Sequence, residues 1–232
     1  MSKNTLPEWE RVLSSAAHLQ RILPDAVLVG GTASVLYAGH RFSGDADHVL
    51  PDLRTRFDQI LSELESVAGW KTARVKRPVQ ILGSLDGIET GVRQLMRDTP
   101  LDTTVIDYRG EALTVPTEDE ILRIKGILIL RRNAARDYID FVALADHLGE
   151  DRVEKALSRF DRIYTQPNGE SALQQLQVQL ANPMPYDLEE MNLSEYRKLD
   201  PKWHDWMNIK SVCSRLATTI FDRVATREEE PG

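Results

Sequence analysis

One cysteine, Cys213, in 232 residues leaves the chain without a disulfide framework, which secreted domains build from cysteines in pairs. Cys213 lies in an amphipathic helical stretch, where packing is its expected role. The opening MSKNTLPEWERVLSS lacks a basic segment followed by a long apolar run, and no apolar stretch approaches membrane-spanning length. A cytoplasmic protein with no membrane contact is therefore expected. Positive charge is also in deficit. With 29 Lys plus Arg against 36 Asp plus Glu, the net charge of -7 excludes a general nucleic-acid coat and leaves room only for a local basic cleft. The basic clusters RVKRP, from Arg74 to Pro78, and Arg131, Arg132 and Arg136 read first as solvated surface. Internal repeats and low-complexity segments are missing as well.

What remains is a chain long enough for a real core, in roughly one or two domains. Helical periodicity runs over 8–23 and stops at Pro24 and Asp25. The short run AVLVG reads as a buried strand closed by glycines, 32–38 as a short helix, 45–50 as a strand ended by Pro51, and 53–68 as a helix. From Lys71 to Val115 the pattern is strand-like in TARVKRPVQILGSL, IETGVRQL and TTVIDYRGEALTV. Beyond Pro116 it turns helical. PTEDEILRIKGILILRR has acids in its first turn and arginines in its last, each matching the helix dipole. Further helices are expected over 133–148, 151–162, 171–180 and 205–224, with REEEPG as a frayed end. An α/β core over 1–115 and a helical region over 116–232 follow.

The stretch VLVGGTASVLYAGHRFSGDADHVL carries the chemistry. A strand ending in Gly30-Gly31 and entering a helix at Thr32 bares backbone N–H groups to an anion, with the Thr32 hydroxyl as a further donor. Side chains alternate along a strand, so Asp45 and Asp47 share one face while Ala46 and His48 take the other. Two carboxylates so placed repel each other unless a cation neutralises them, and a hard cation completed by substrate phosphates suits that donor set. The bland alternative is a solvated turn, SGDADH.

In order and spacing, Gly30, Gly31, Thr32, Arg41, Ser43, Asp45 and Asp47 resemble the nucleotidyltransferase fold related to DNA polymerase β, in particular the AbiEii-type toxins of abortive-infection and type IV toxin-antitoxin systems. The resemblance continues through Lys125 and Arg132, seven apart on one helix, to Asp137 and Asp140, three apart on the next. It covers about half the chain, with Arg136 where the family has lysine and His48 where it has an aliphatic residue. His48 is expected to be half-buried. The resemblance implies a small mixed β-sheet with flanking helices, followed by a helical C-terminal region. It also implies Mg2+ or Mn2+ on Asp45 and Asp47, a nucleoside triphosphate cradled by Gly30, Gly31 and Thr32 with Lys125 beside it, and Arg41 bracing the loop. Ser43, Arg132, Asp137 and Asp140 are carried over as nucleotide-binding positions. A third carboxylate is implied on a neighbouring strand. In GVRQL the matching position holds Gln94, which leaves Glu89 and Asp107, with Asp107 assigned to the metal.

The implied activity is transfer of a nucleoside monophosphate to a hydroxyl of tRNA or protein, as the toxin partner of an antitoxin protein. Two rivals are a small-molecule nucleotidyltransferase of the antibiotic-modifying kind and a catalytically silent nucleotide-binding module. The pairs Asp146-His147 and His204-Asp205 lack the surrounding histidines of a phosphohydrolase. The stripe Trp203, Trp206, Ile209, Val212, Cys213, Leu216 and Ile220 reads as core.

Overall fold

A computed structural model describes residues 8–228, which fall into two compact units. The first holds residues up to Leu36 and Phe42–Thr117; the second holds Tyr37–Arg41 and the chain from Glu118 onward.

In the first unit, α1 (Glu8–Ile22) buries Val12, Leu13, Ala16 and Leu19, the face set by apolar residues three and four apart. β1 (Val27–Leu28) leads into α2 (Gly30–Ala38), whose last two residues belong to the second unit. β2 (Asp45–Leu50) is followed by α3 (Leu53–Glu65), β3 (Trp70–Lys76), β4 (Gln80–Leu85) and β5 (Ile88–Gln94). The sheet order is β1-β2-β5-β4-β3, with β2 and β5 parallel and the other pairs antiparallel, so the sheet is mixed. One face packs on α1 and α3 through Leu19, Leu50, Phe57, Ile60, Ile81 and Val92, all buried. β6 (Thr103–Tyr108) and β7 (Glu111–Pro116) form a separate antiparallel pair. The Gln20 side chain ties that hairpin to α1, donating to Thr114 O and accepting from Thr114 N, each at 2.8 Å.

Alternation along β2 puts Ala46, His48 and Leu50 into the core and leaves Asp45, Asp47 and Val49 half-exposed on the opposite face. His48 is therefore fully buried, not half-buried as its sequence position suggested. Its Nδ1–H donates to Ala46 O at 3.0 Å, and burial pushes its pKa down to about 4 despite that bond, so the ring is neutral at physiological pH.

The second unit contains α4 (Glu118–Arg132), α5 (Ala135–Leu148), α6 (Glu150–Leu157), α7 (Phe160–Ile163), α8 (Ala172–Ala181) and α9 (Trp206–Glu228). The helix expected over 151–162 breaks at Ser158 and Arg159, and Phe160 is buried beside the middle of α4. Gly126 makes that approach possible. A Cβ there would meet Leu176 Cδ2 at 3.0 Å and Phe160 Cε2 at 3.1 Å. Trp203, Ile209, Cys213, Leu216 and Ile220 are buried, and Trp206 meets the Tyr138 ring edge-on at 5.9 Å. α9 reaches Glu228, and the remainder of REEEPG lies outside the described residues.

Candidate active site

The open face of the first unit is built on β2 and the start of α2. Gly30, with φ +74°, begins α2 already at the first glycine, two residues earlier than expected. It lies against Asp47: a Cβ on it would sit 3.6 Å from Asp47 Cβ and 3.8 Å from Oδ2. Any larger residue would occupy space beside this carboxylate and strain the backbone. Thr32 is fully buried, and its hydroxyl donates to the backbone oxygen of Asp45. Ser43, also buried, donates from Oγ to Asp45 Oδ1 at 2.9 Å. Both hydroxyls, expected at a nucleotide, fix the strand end that carries Asp45. On the neighbouring strand, Glu89 is in register with Asp45 and is exposed, Gly91 is in register with Asp47, and Arg93 Nη2 comes within 3.7 Å of Asp47 Oδ1.

This face suits a hard divalent cation in kind: two carboxylates two residues apart on one side of a strand, half-exposed, with a glycine leaving room beside one of them. The third ligand does not join them. Asp107 lies on the separate β6–β7 hairpin, where its Oδ1 accepts from Gly110 N at 3.3 Å. Gln94 points to the core side, accepting from Arg54 N at 2.9 Å and donating to Pro51 O at 2.6 Å. Among the described residues no group of three or more His, Cys, Asp or Glu side chains is gathered closely enough to hold a metal ion.

Four residues carried over by resemblance meet in the second unit. Asp140, with 0 % exposure, is the hub. Its Oδ1 accepts from Arg41 Nε and His40 Nε2, each at 2.7 Å, and its Oδ2 accepts from Arg41 Nη2 at 3.0 Å and Lys125 Nζ at 2.7 Å. Lys125 also lies 3.4 Å from Asp137 Oδ1. All five side chains are buried. Burial alone would raise the Asp140 carboxyl; Arg41, Lys125 and the hydrogen bond from His40 overcome it and hold the group well below the usual carboxylate range. The Arg41 guanidinium further lies over the Tyr196 ring at 6.0 Å, and His40 O accepts from Asp200 N at 2.8 Å. α5 thus supplies the anchor of the Arg41 side chain. Lys125, expected beside a triphosphate, has its ammonium engaged by two buried carboxylates. Arg132 ends α4 exposed and does not share the buried position of Lys125. Sequence reasoning overlooked His40 and Arg93; the only signal for either was adjacency to a residue already singled out.

The His-Asp pairs are peripheral. His147 bonds Glu118 at 3.0 Å, Asp146 pairs with Lys202, and His204 bonds Leu199 O at 2.8 Å.

No protein-family model matches the chain. It is 30% identical over 231 residues to "Probable transport protein MmpL11" of Mycobacterium bovis and to "Heme uptake protein MmpL11" of Mycobacterium tuberculosis, covering 91% of this chain and 22% of each relative. The chain thus spans about a fifth of the length of the curated relatives it matches. No helix of the described residues is long and apolar enough to cross a membrane. Among solved structures, a protein of H. pylori described as a nucleotidyltransferase is similar over 100% of both chains, with a TM-score of 0.56 at 17% identity. The antibiotic-resistance factor ANT(2")-Ia, solved with adenylyl-2"-tobramycin, covers 64% of this chain at 12% identity and a TM-score of 0.47, too low to add to the assignment. The full-length likeness and the mixed sheet with its flanking helices agree: the chain has the nucleotidyltransferase fold.

Proposed function

We propose that the chain is a nucleotidyltransferase that moves a nucleoside monophosphate from a nucleoside triphosphate to an acceptor hydroxyl. The observation that carries this reading is the half-exposed pair Asp45 and Asp47 on one face of β2, with side-chain-free Gly30 against Asp47. In the reaction the acceptor oxygen bonds to the α-phosphorus, the bond from that phosphorus to the β-phosphate bridge breaks, pyrophosphate leaves, and the hydroxyl proton is lost to solvent. Asp45 and Asp47 would hold Mg2+ or Mn2+, which supplies positive charge to the triphosphate and acidifies the acceptor hydroxyl. Gly30 and Gly31 offer backbone N–H groups at the start of α2. Thr32 and Ser43 orient Asp45. In the second unit Asp140, which also pairs with Lys125, holds Arg41, four residues before Asp45 in the chain.

The acceptor class, tRNA or protein, and the role as an AbiEii-type toxin with an antitoxin partner rest on the motif resemblance. Incubation of the purified chain with Mg2+, each labelled nucleoside triphosphate and total tRNA or protein extract tests the reading, with an Asp45→Ala/Asp47→Ala variant alongside. Label transferred by the wild type and lost in the variant is the expected result. Nucleotide binding without transfer would mark a silent binding module instead.

A further inference from the structure

The strand register raises a question that the carboxylate motif leaves open: what stands on β5 where a third carboxylate would be. Directly beside Asp47 is Gly91. A Cβ at Gly91 would lie 2.4 Å from Leu82 Cδ2 and 2.9 Å from Ile81 O, so the position flush with Asp47 admits no side chain at all. The next residue on the same face is Arg93. With no side chain on Gly91, its Nη2 reaches to 3.7 Å from Asp47 Oδ1, the side chains being 36% and 29% exposed. This separation lies beyond hydrogen-bond range, so the pair is electrostatic and easily exchanged. A guanidinium is also the side chain best shaped to grip phosphate oxygens two at a time.

We propose that Arg93 is a positioning residue that serves as the built-in counter-ion of Asp47 and transfers its contact to the triphosphate when the metal–nucleotide complex arrives. The proposal rests on the metal-dependent reading above and deepens it. Without nucleotide, Arg93 neutralises Asp47 and repels a divalent cation, so free metal binds weakly. Once phosphate oxygens are present, the same guanidinium turns to them and Asp47 is released to the cation. Metal and nucleotide therefore bind with positive coupling, and Arg93 is the source of that coupling.

Mn2+ binding to the full chain, followed by electron paramagnetic resonance, tests this with and without a nonhydrolysable nucleoside triphosphate analogue. Arg93→Met keeps the apolar stem and removes the charge, and Arg93→Lys keeps the charge without the fork. Without analogue, Arg93→Met is expected to bind Mn2+ more tightly by roughly fivefold or more, while Arg93→Lys stays near wild type. With analogue, the wild type is expected to tighten its grip on Mn2+ and Arg93→Met to lose most of that gain. Identical Mn2+ titrations for wild type and Arg93→Met, or weaker binding by the variant without analogue, overturn the counter-ion role while leaving the nucleotidyltransferase reading intact if label transfer persists. No Mn2+ uptake by the wild type under either condition overturns both. A thermal melt of each variant separates loss of folding from loss of binding.

Discussion

Two of the molecule's groups of carboxylates with basic side chains nearby, one on the sheet and one among the helices, are set apart by their surroundings. Asp45 and Asp47 stand half-exposed on a sheet face, with Arg93 at a loose 3.7 Å. Asp140 is sealed among helices, gripped by Arg41, Lys125 and His40 at 2.7–3.0 Å. Residues of the same type thus do opposite work. In the first unit, the contact of Arg93 with Asp47 is loose enough for a ligand to exchange. In the second, attraction is already satisfied internally, so the same charges serve as structure.

Removing the hub should show the contrast most strongly. Asp140→Ala removes the carboxylate shared by the buried charges of Arg41 and Lys125, and a loss of about 3–5 kcal/mol is expected in urea denaturation. Asp45→Ala/Asp47→Ala should cost only about 1–2 kcal/mol, chiefly the hydrogen bond from buried Ser43 to Asp45, while abolishing Mn2+ binding. If the two variants melt alike, the distinction between structural and functional carboxylates fails.

Acid should separate the two units by different groups. The folded-state pKa of His48 is near 4, below its ordinary 6.5, so the unfolded chain takes up the proton first. Its neutral form contributes fully above pH 6.5, and roughly 3 kcal/mol is lost as the pH falls from there to about 4. Asp140, whose folded pKa is depressed, keeps its contribution through that window and loses it only at lower pH, below the ordinary carboxylate range. A pH series of denaturation midpoints checks this, with His48→Leu expected to flatten the upper part of the curve.

A smaller effect is expected at the glycine beside Asp47. Gly30→Ala, at φ +74°, should cost about 1–2 kcal/mol in stability and weaken Mn2+ binding by crowding Asp47. Smallest of all is an ion pair in water. Arg215 Nε lies 2.9 Å from Glu150 Oε1 with both side chains about half-exposed, and Glu150→Gln should shift stability by less than about 0.5 kcal/mol. A large loss there would mean that burial is not what distinguishes the Asp140 cluster.

The sheet face was legible because its signal is local: glycines before a helix, then two aspartates at strand spacing. The duties of Thr32 and Ser43 were not, since each hydroxyl meets Asp45 only once the start of α2, the approach to β2 and the strand are folded together. The third carboxylate was sought by motif at Gln94 and assigned to Asp107. Only the parallel β2–β5 register brings Glu89 beside Asp45 and Gly91 beside Asp47. Lys125 and Arg132 share helical spacing, yet a helix that ends at the surface buries one and exposes the other. The periodicity that located α4 carries no information about where its last turn emerges.

The membership of Tyr37–Arg41 in the second unit has a consequence for biosynthesis. Arg41 and Asp140 are 99 residues apart, so a ribosome adding roughly 5–20 residues each second delivers the anchor about 5–20 s after the guanidinium it must hold. Through that interval the first unit's sheet can be fully synthesised while the peptide just ahead of its two aspartates still awaits its clasp. The nascent chain would acquire its carboxylate face before it acquires the means of fixing the loop in front of it.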